Sequence, residues 1–269
     1  MNLMTYETYK IINYAWIGLA VIVFLILLRV TAPFGRHTSK KWGVQISNRL
    51  GWFFMELPGM LVIAYFLFFQ HTIHDFIVVF PVIFYVFHYV NRALIFPFRL
   101  HTKGKTMPLV VMIMAMGFNL MNGFLIGYYF GNFAGYSFET LTELHFITGS
   151  ILFVTGVYIN WKYDNRLISL RKENETGYVI PTGGLFRYIS CPNLFGEIVE
   201  WTGFAILCMN LPAFTFLVWT LANLVPRAMS HHKWYKSHFS NYPSERRAIF
   251  PDFGINKFKS RYEQKYFRK

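Results

Sequence analysis

Five stretches of this chain, residues 11–28, 51–69, 76–98, 108–130 and 144–161, are long apolar runs with almost no charge. A bilayer core about 30 Å thick is crossed by roughly 20 such residues wound as a helix. Only Glu56 and Arg92 interrupt these runs with a formal charge. Two shorter apolar runs, 197–211 and 213–225, follow, separated at Asn210-Leu211-Pro212. Proline does not continue a helix cleanly, so that break reads as a tight turn between two short spans. The expectation is an all-α integral membrane protein, a bundle of about seven transmembrane helices. It forms a single domain over 1–269, with an N-terminal half (1–135) and a C-terminal half (136–269). The first run leads into a basic loop at Arg29 with no convincing small-residue cleavage site, so it reads as a retained span.

Composition narrows the class further. Hydrophobic residues make up 54% of the chain and charged residues 14%, against about 25% charged in soluble domains. Disorder and an ordinary soluble enzyme are both excluded. The net charge of +13 does not point to nucleic acid, because the basic residues cluster in the loops between apolar runs. Arg29, Arg36, Lys40, Lys41 and Arg49 follow the first run. Arg99, Lys103 and Lys105 follow the third, and Lys162, Arg166, Arg171, Lys172 and Arg187 follow the fifth. The loops after the second and fourth runs hold histidines and acids instead. The positive-inside rule then puts the N-terminus outside and the C-terminus in the cytosol. That arrangement suits a multi-pass protein of the bacterial inner membrane or the endoplasmic reticulum. Cys191 and Cys208 lack metal-site spacing and read as two reduced buried thiols. His231-His232 has no second ligand pair at suitable spacing, so no metal is expected.

Several polar residues are not explained by topology. Glu56 lies within the second run, in Trp52-Phe53-Phe54-Met55-Glu56-Leu57-Pro58. Ionisable groups inside a membrane are costly and usually functional. An apolar setting favours the protonated acid, which can donate a hydrogen bond to a carbonyl. His88 and Arg92 are four apart and share a helix face beside Tyr89. Three further sets have helical spacing: Asn160 with Asp164, Asn193 with Glu197 and Glu200, and Arg227 with His231 and Tyr235. All three fall on the cytosolic side of this topology, the last of them after the seventh span. The loop from Tyr178 to Tyr188 contains Gly183-Gly184, which permits a turn or close approach to a ligand. No GxGxxG opens a helix, so this is no Rossmann site. Amides, acids, arginines and aromatics therefore converge on one membrane face, with a lone acid deeper. A large anionic cofactor entering from the cytosol fits that pattern.

These residues resemble the steroid 5α-reductase (3-oxo-5α-steroid 4-dehydrogenase) family. The strongest segments are Gly183-Gly184-Leu185-Phe186-Arg187-Tyr188, Asn193 through Trp201, Arg227 through Tyr235, and Tyr242-Pro243-Ser244-Glu245-Arg246-Arg247. Glu56-Leu57-Pro58 after Trp52, and His88-Tyr89-Val90-Asn91-Arg92, add to it. The resemblance implies a membrane reductase that uses NADPH to reduce a double bond conjugated to a ketone. By position, Glu56 and Tyr89 would bind the substrate's 3-oxo group, with Trp52 and Arg92 on the substrate side. Lys103, Lys105, Asn160, Asp164, Arg171, Tyr178, Asn193, Glu197, Arg227, His231 and Tyr235 would contact NADPH. The implied partners are an apolar enone such as a steroid and the lipid bilayer, with no obligate protein partner. Met55, Lys103 and Lys105 depart from the Gln and Arg residues common in relatives. A membrane enoyl-thioester or sterol reductase, or an isoprenylcysteine-type methyltransferase, is the alternative from the same architecture. A lipid transporter would instead show paired broken helices in an internal repeat, and no such halves are present.

Overall fold

The computed structural model describes residues 4–69, 76–100, 104–170 and 177–251. Lys103, Arg171, Lys172 and the acid-and-histidine loop at 71–75 lie outside the described residues. Seven long helices form the body: α1 (Tyr6–Leu27), α2 (Asn48–Phe69), α3 (Phe76–Tyr89), α5 (Leu109–Asn132), α6 (Leu144–Ser169), α7 (Pro192–Cys208) and α8 (Leu211–His238). A π-helical segment, Val90–Ile95, prolongs α3 into a last short helix, α4 (Phe96–Arg99). The only sheet among the described residues is a ribbon in which β1 (Gln45–Ser47) pairs antiparallel with β2 (Thr106–Pro108), Ile46 opposite Met107. The architecture is that of an all-α integral membrane protein. Five segments are long and apolar enough to cross a bilayer: Tyr6–Leu27, Asn48–Phe69, Ile77–Arg99, Leu109–Asn132 and Leu144–Ser169.

Local chemistry sets the helix limits. Thr5 caps α1 by accepting from the Thr8 amide, and Asn210 caps α8 by accepting from the Ala213 amide. The turn between α7 and α8 is only Met209-Asn210, with Met209 in the left-handed region at φ 46°. Pro212 sits in the first turn of α8, where its missing N–H costs nothing. The last two helices thus differ in extent from the runs at 197–211 and 213–225. α7 begins earlier, at Pro192, and α8 continues through Pro226 to His238. Polar residues after Val225 carry no hydropathy signal, which is why the apolar run ends before the helix does.

Large apolar side chains on the outer faces are exposed, among them Ile11, Phe68, Met114, Ile151 and Val154. An outward apolar surface on long helices suits lipid rather than water. Inside, aromatic side chains fill the centre, with Trp201 packed against Tyr85, His88, Phe204 and Phe216. α1 is fastened to the bundle by polar bonds as well. The Tyr9 hydroxyl donates to Leu125 O, the Trp16 indole to Asn122 Oδ1, and the Thr215 hydroxyl to Asn13 Oδ1.

α6 and α7 form the closest helix pair. A β-carbon at Gly156 would strike the Glu200 backbone nitrogen, and one at Gly196 would strike that of Asn160. Gly149 and Gly203 meet the opposite helix in the same way. Small residues let two helix backbones approach within a membrane. This seam fixes Asn160 and Asp164 against Asn193 and Glu197.

Candidate functional site

One end of the bundle is hollowed by a cavity of about 240 Å³. Its wall draws on the loop after α1 (Phe34, Gly35, Arg36) and the start of α2 (Asn48, Trp52). The π-helical segment, Leu100, Lys105 and Thr106, the end of α6, the 178–191 loop, the start of α7 and the far end of α8 complete it. Those are the loops and helix ends that carry the basic residues in the sequence. The β1–β2 ribbon ties two of these loops together, with Asn48 N bonded to Lys105 O at 3.0 Å.

The wall contains Trp52, Arg92, Lys105, Asp164, Tyr178, Asn193, Glu197, Arg227, His231 and Tyr235, ten of the residues singled out from the sequence. Asn160 is buried behind the wall. Its amide donates to Asn193 O at 3.1 Å and approaches Glu197 Oε2 at 3.5 Å. Asn193 in turn donates to Asp164 Oδ1 at 2.9 Å. Members of all three helical-spacing sets therefore reach one cavity, while Glu200 of the second set lies away from it and pairs with His88.

Charge is divided along the cavity. At one side Arg92 lies 3.9 Å from both Asp164 and Glu197, with its guanidinium over the Trp52 and Phe96 rings. At the other side stand Arg36 and Arg227, with no carboxylate within 4 Å among the described residues. Arg227 donates to the carbonyls of Ala32 and Phe34 at 3.0 and 2.8 Å and stacks on the Phe34 ring. Arg36 is enclosed by the rings of Tyr178, Trp234 and Tyr235 and donates to the Tyr235 hydroxyl at 3.1 Å. His37 faces His231, Nε2 to Nδ1 at 3.2 Å. Burial, then the Arg227, Arg36 and His238 charges, push the His37 imidazole down to about 4. That imidazole is neutral at pH 7.

Glu56 and Tyr89 do not line this cavity. They sit deeper, where Glu56 is four residues, one helical turn, beyond Trp52 on the same face of α2. Asn119 of α5 joins the two. Its amide nitrogen donates to Met55 O at 2.6 Å and to Glu56 Oε2 at 3.1 Å. Its carbonyl oxygen accepts from the Tyr89 hydroxyl at 2.9 Å. Because Met55 O can only accept, the amide has a single workable orientation, and Tyr89 must be the donor to it. Behind Tyr89, His88 Nδ1 pairs with Glu200 Oε1 at 2.7 Å, both side chains buried.

Two of these features are not assigned by the sequence. Asn119 stands out as an amide within an apolar run, yet nothing local links it to Glu56, 63 positions away. Arg36 reads as one loop charge among several, and only the folding of its loop over α8 encloses it. Cys191 and Cys208 are both free and buried, as the sequence suggested.

A family model described as 3-oxo-5-alpha-steroid 4-dehydrogenase matches residues 105–253. The chain is 39% identical over 242 residues to steroid 5-alpha-reductase DET2 of Gossypium hirsutum, covering 87% of this chain and 92% of that protein. It is 35% identical over 257 residues to steroid 5-alpha-reductase DET2 of Arabidopsis thaliana, with 92% and 96% covered. It is 36% identical over 238 residues to 3-oxo-5-alpha-steroid 4-dehydrogenase 1 of Bos taurus, with 87% and 92% covered. A match of that extent, across both halves of the bundle, makes the chain a member of the steroid 5-alpha-reductase (3-oxo-5-alpha-steroid 4-dehydrogenase) family of oxidoreductases.

Proposed function

We propose that this chain reduces the 4,5 double bond of 3-oxo-4-ene steroids to 5α products with NADPH, Glu56 and Tyr89 polarising the 3-oxo group. One observation carries the reading: a charge-divided cavity at the basic end of the bundle lies one helical turn above a cluster of half-buried Glu56 with buried Asn119 and Tyr89. A polar cofactor and an apolar ketone need that pair of environments.

The residues present fit a phosphorylated dinucleotide. Arg36 and Arg227 give one side of the cavity positive charge that no carboxylate within 4 Å offsets among the described residues, and Lys105 also lines it. Asp164, Asn193 and Glu197, backed by Asn160, give the other side acceptors and an amide for ribose and carboxamide groups. Tyr178, His231 and Tyr235 also line the cavity, and Lys103 and Arg171 complete the proposed set by family position. When bound, NADPH would supply the hydride taken up at the β-carbon of the enone, and a proton drawn from solvent would complete the α-carbon. The basic loops favour a cytosolic position for this end, and in this reading the steroid enters laterally from lipid toward Trp52, Arg92 and the deeper cluster.

The chain's own part is to receive charge on the ketone oxygen. Glu56 Oε2 accepts from Asn119, so in the neutral acid the proton resides on Oε1, free to donate to the ketone. The Tyr89 hydroxyl becomes the second donor by turning from Asn119 Oδ1 to the same oxygen. Removing such a donor costs about 3–4 kcal/mol in precedent oxyanion sites. The aromatic packing around Tyr89 excludes water, which strengthens both bonds.

The test is anaerobic incubation of detergent-purified protein with NADPH and a 4-ene-3-one steroid, the product's stereochemistry read by mass spectrometry and NMR. The expected product is the 5α-reduced steroid. Binding of S-adenosylmethionine, with no NADPH oxidation on any enone, would overturn the reading in favour of a methyltransferase.

A further inference from the structure

Arg227 is the arginine that family position marks for the cofactor, yet its two terminal nitrogens already bond the Ala32 and Phe34 carbonyls. Those bonds hold the loop that carries Arg36. Arg36 also lines the cavity, and its Nη2 donates to Tyr235. Its Nη1 is buried and has no acceptor among the described residues. A buried guanidinium N–H without an acceptor is uncommon and calls for a missing partner. Arg36 and Arg227 lie close together with no carboxylate within 4 Å among the described residues. Two adjacent cations with one unfilled donor describe an anion site. The three rings around Arg36, those of Tyr178, Trp234 and Tyr235, limit its motion and exclude water, which strengthens an ionic contact there.

We propose that Arg36 is a phosphate-binding residue of this cavity, its Nη1 engaging a phosphate of the dinucleotide, while Arg227 holds the Arg36 loop in place. The inference rests on the NADPH reading above. It adds a binding residue from the loop after α1, remote in sequence from the C-terminal motifs.

The experiment is a direct titration of detergent-purified protein with NADPH, followed by nucleotide fluorescence without steroid. The Arg36→Met variant keeps an apolar stem for the rings and removes the charge. Its dissociation constant is expected to rise about 10- to 100-fold, the range for loss of a charged hydrogen bond. Arg36→Lys, which restores the charge without the fork, is expected to recover part of that loss. An Arg36→Met affinity within twofold of the parent overturns the assignment. If Arg36→Met does not fold, Arg36→Lys decides: parent-like affinity overturns the fork contact and weakening of at least threefold supports it. Failure of the parent itself to bind NADPH is a different result, which sinks the cofactor reading rather than the role of Arg36.

Discussion

Asn119→Leu tests the clamp between Glu56 and Tyr89. Leucine keeps the branching of asparagine at Cγ, so the substitution removes three hydrogen bonds with a modest change in packing. The Met55 carbonyl, Glu56 Oε2 and the Tyr89 hydroxyl each lose their Asn119 partner. A buried polar group left unsatisfied costs about 1–3 kcal/mol. With Tyr89 and Glu56 both affected, the expected destabilisation is about 2–6 kcal/mol. The two donors also lose the contact that orients them. Misplacing a reacting group by about 1 Å can cost roughly 10²-fold in rate, so kcat for enone reduction is expected to fall by about that factor. NADPH affinity should stay within about twofold, because Asn119 is not part of the cofactor cavity. Thermal unfolding in detergent, single-turnover NADPH oxidation and nucleotide titration measure the three quantities. A variant with parent-like turnover and stability refutes the clamp. One that loses nucleotide affinity as strongly as rate shows that Asn119 acts on the whole bundle instead.

Gly156→Ala places a methyl against the Glu200 backbone, and α7 must move to admit it. The cost is about 1–3 kcal/mol by the usual penalty for overpacking, seen as a lower melting temperature. Weaker NADPH binding should accompany it, as Asn193 and Glu197 shift from Asp164 and Asn160; an unchanged melting temperature contradicts the tight α6–α7 seam. His37 predicts a pH dependence. Its folded-state pKa of about 4 lies below the ordinary value near 6.5, so the unfolded chain binds more protons between the two. Its stabilising contribution is complete above about pH 6.5 and is lost as pH falls toward 4. His37→Gln should flatten the fall in melting temperature between pH 7 and 5, and an identical slope in variant and parent counts against the neutral imidazole beside His231, Arg36 and Arg227.

Much of this molecule is legible in its sequence, for physical reasons that also mark where legibility stops. The long apolar runs announce α1, α2, α3, α5 and α6 because lipid demands an unbroken apolar surface. Hydropathy truncates α8 because its last turns leave the apolar layer while the backbone stays helical, Pro226 included. The sets at 160 and 164, 193 and 197, and 227, 231 and 235 are readable because helical spacing places each set on one face. That they face one another follows from the α6–α7 glycine contacts and from the α1–α8 packing, which no local period encodes. The π-helical segment at Val90–Ile95 carries no hydropathy mark either, yet it leads Arg92 toward Asp164 and Glu197. Asn119 and Arg36 acquire their settings from partners remote in the chain, and so their spacing alone does not reveal them.

The central claim is that a protonated Glu56 grips the ketone oxygen as the double bond is reduced. Single-turnover oxidation of NADPH by a 4-ene-3-one steroid, compared among the parent, Glu56→Gln and Glu56→Leu, reaches that claim most directly. The glutamine variant still donates and should retain part of the rate. The leucine variant should fall by about 10²- to 10³-fold, the loss seen when an oxyanion donor is removed. A leucine variant that turns over like the parent contradicts the account.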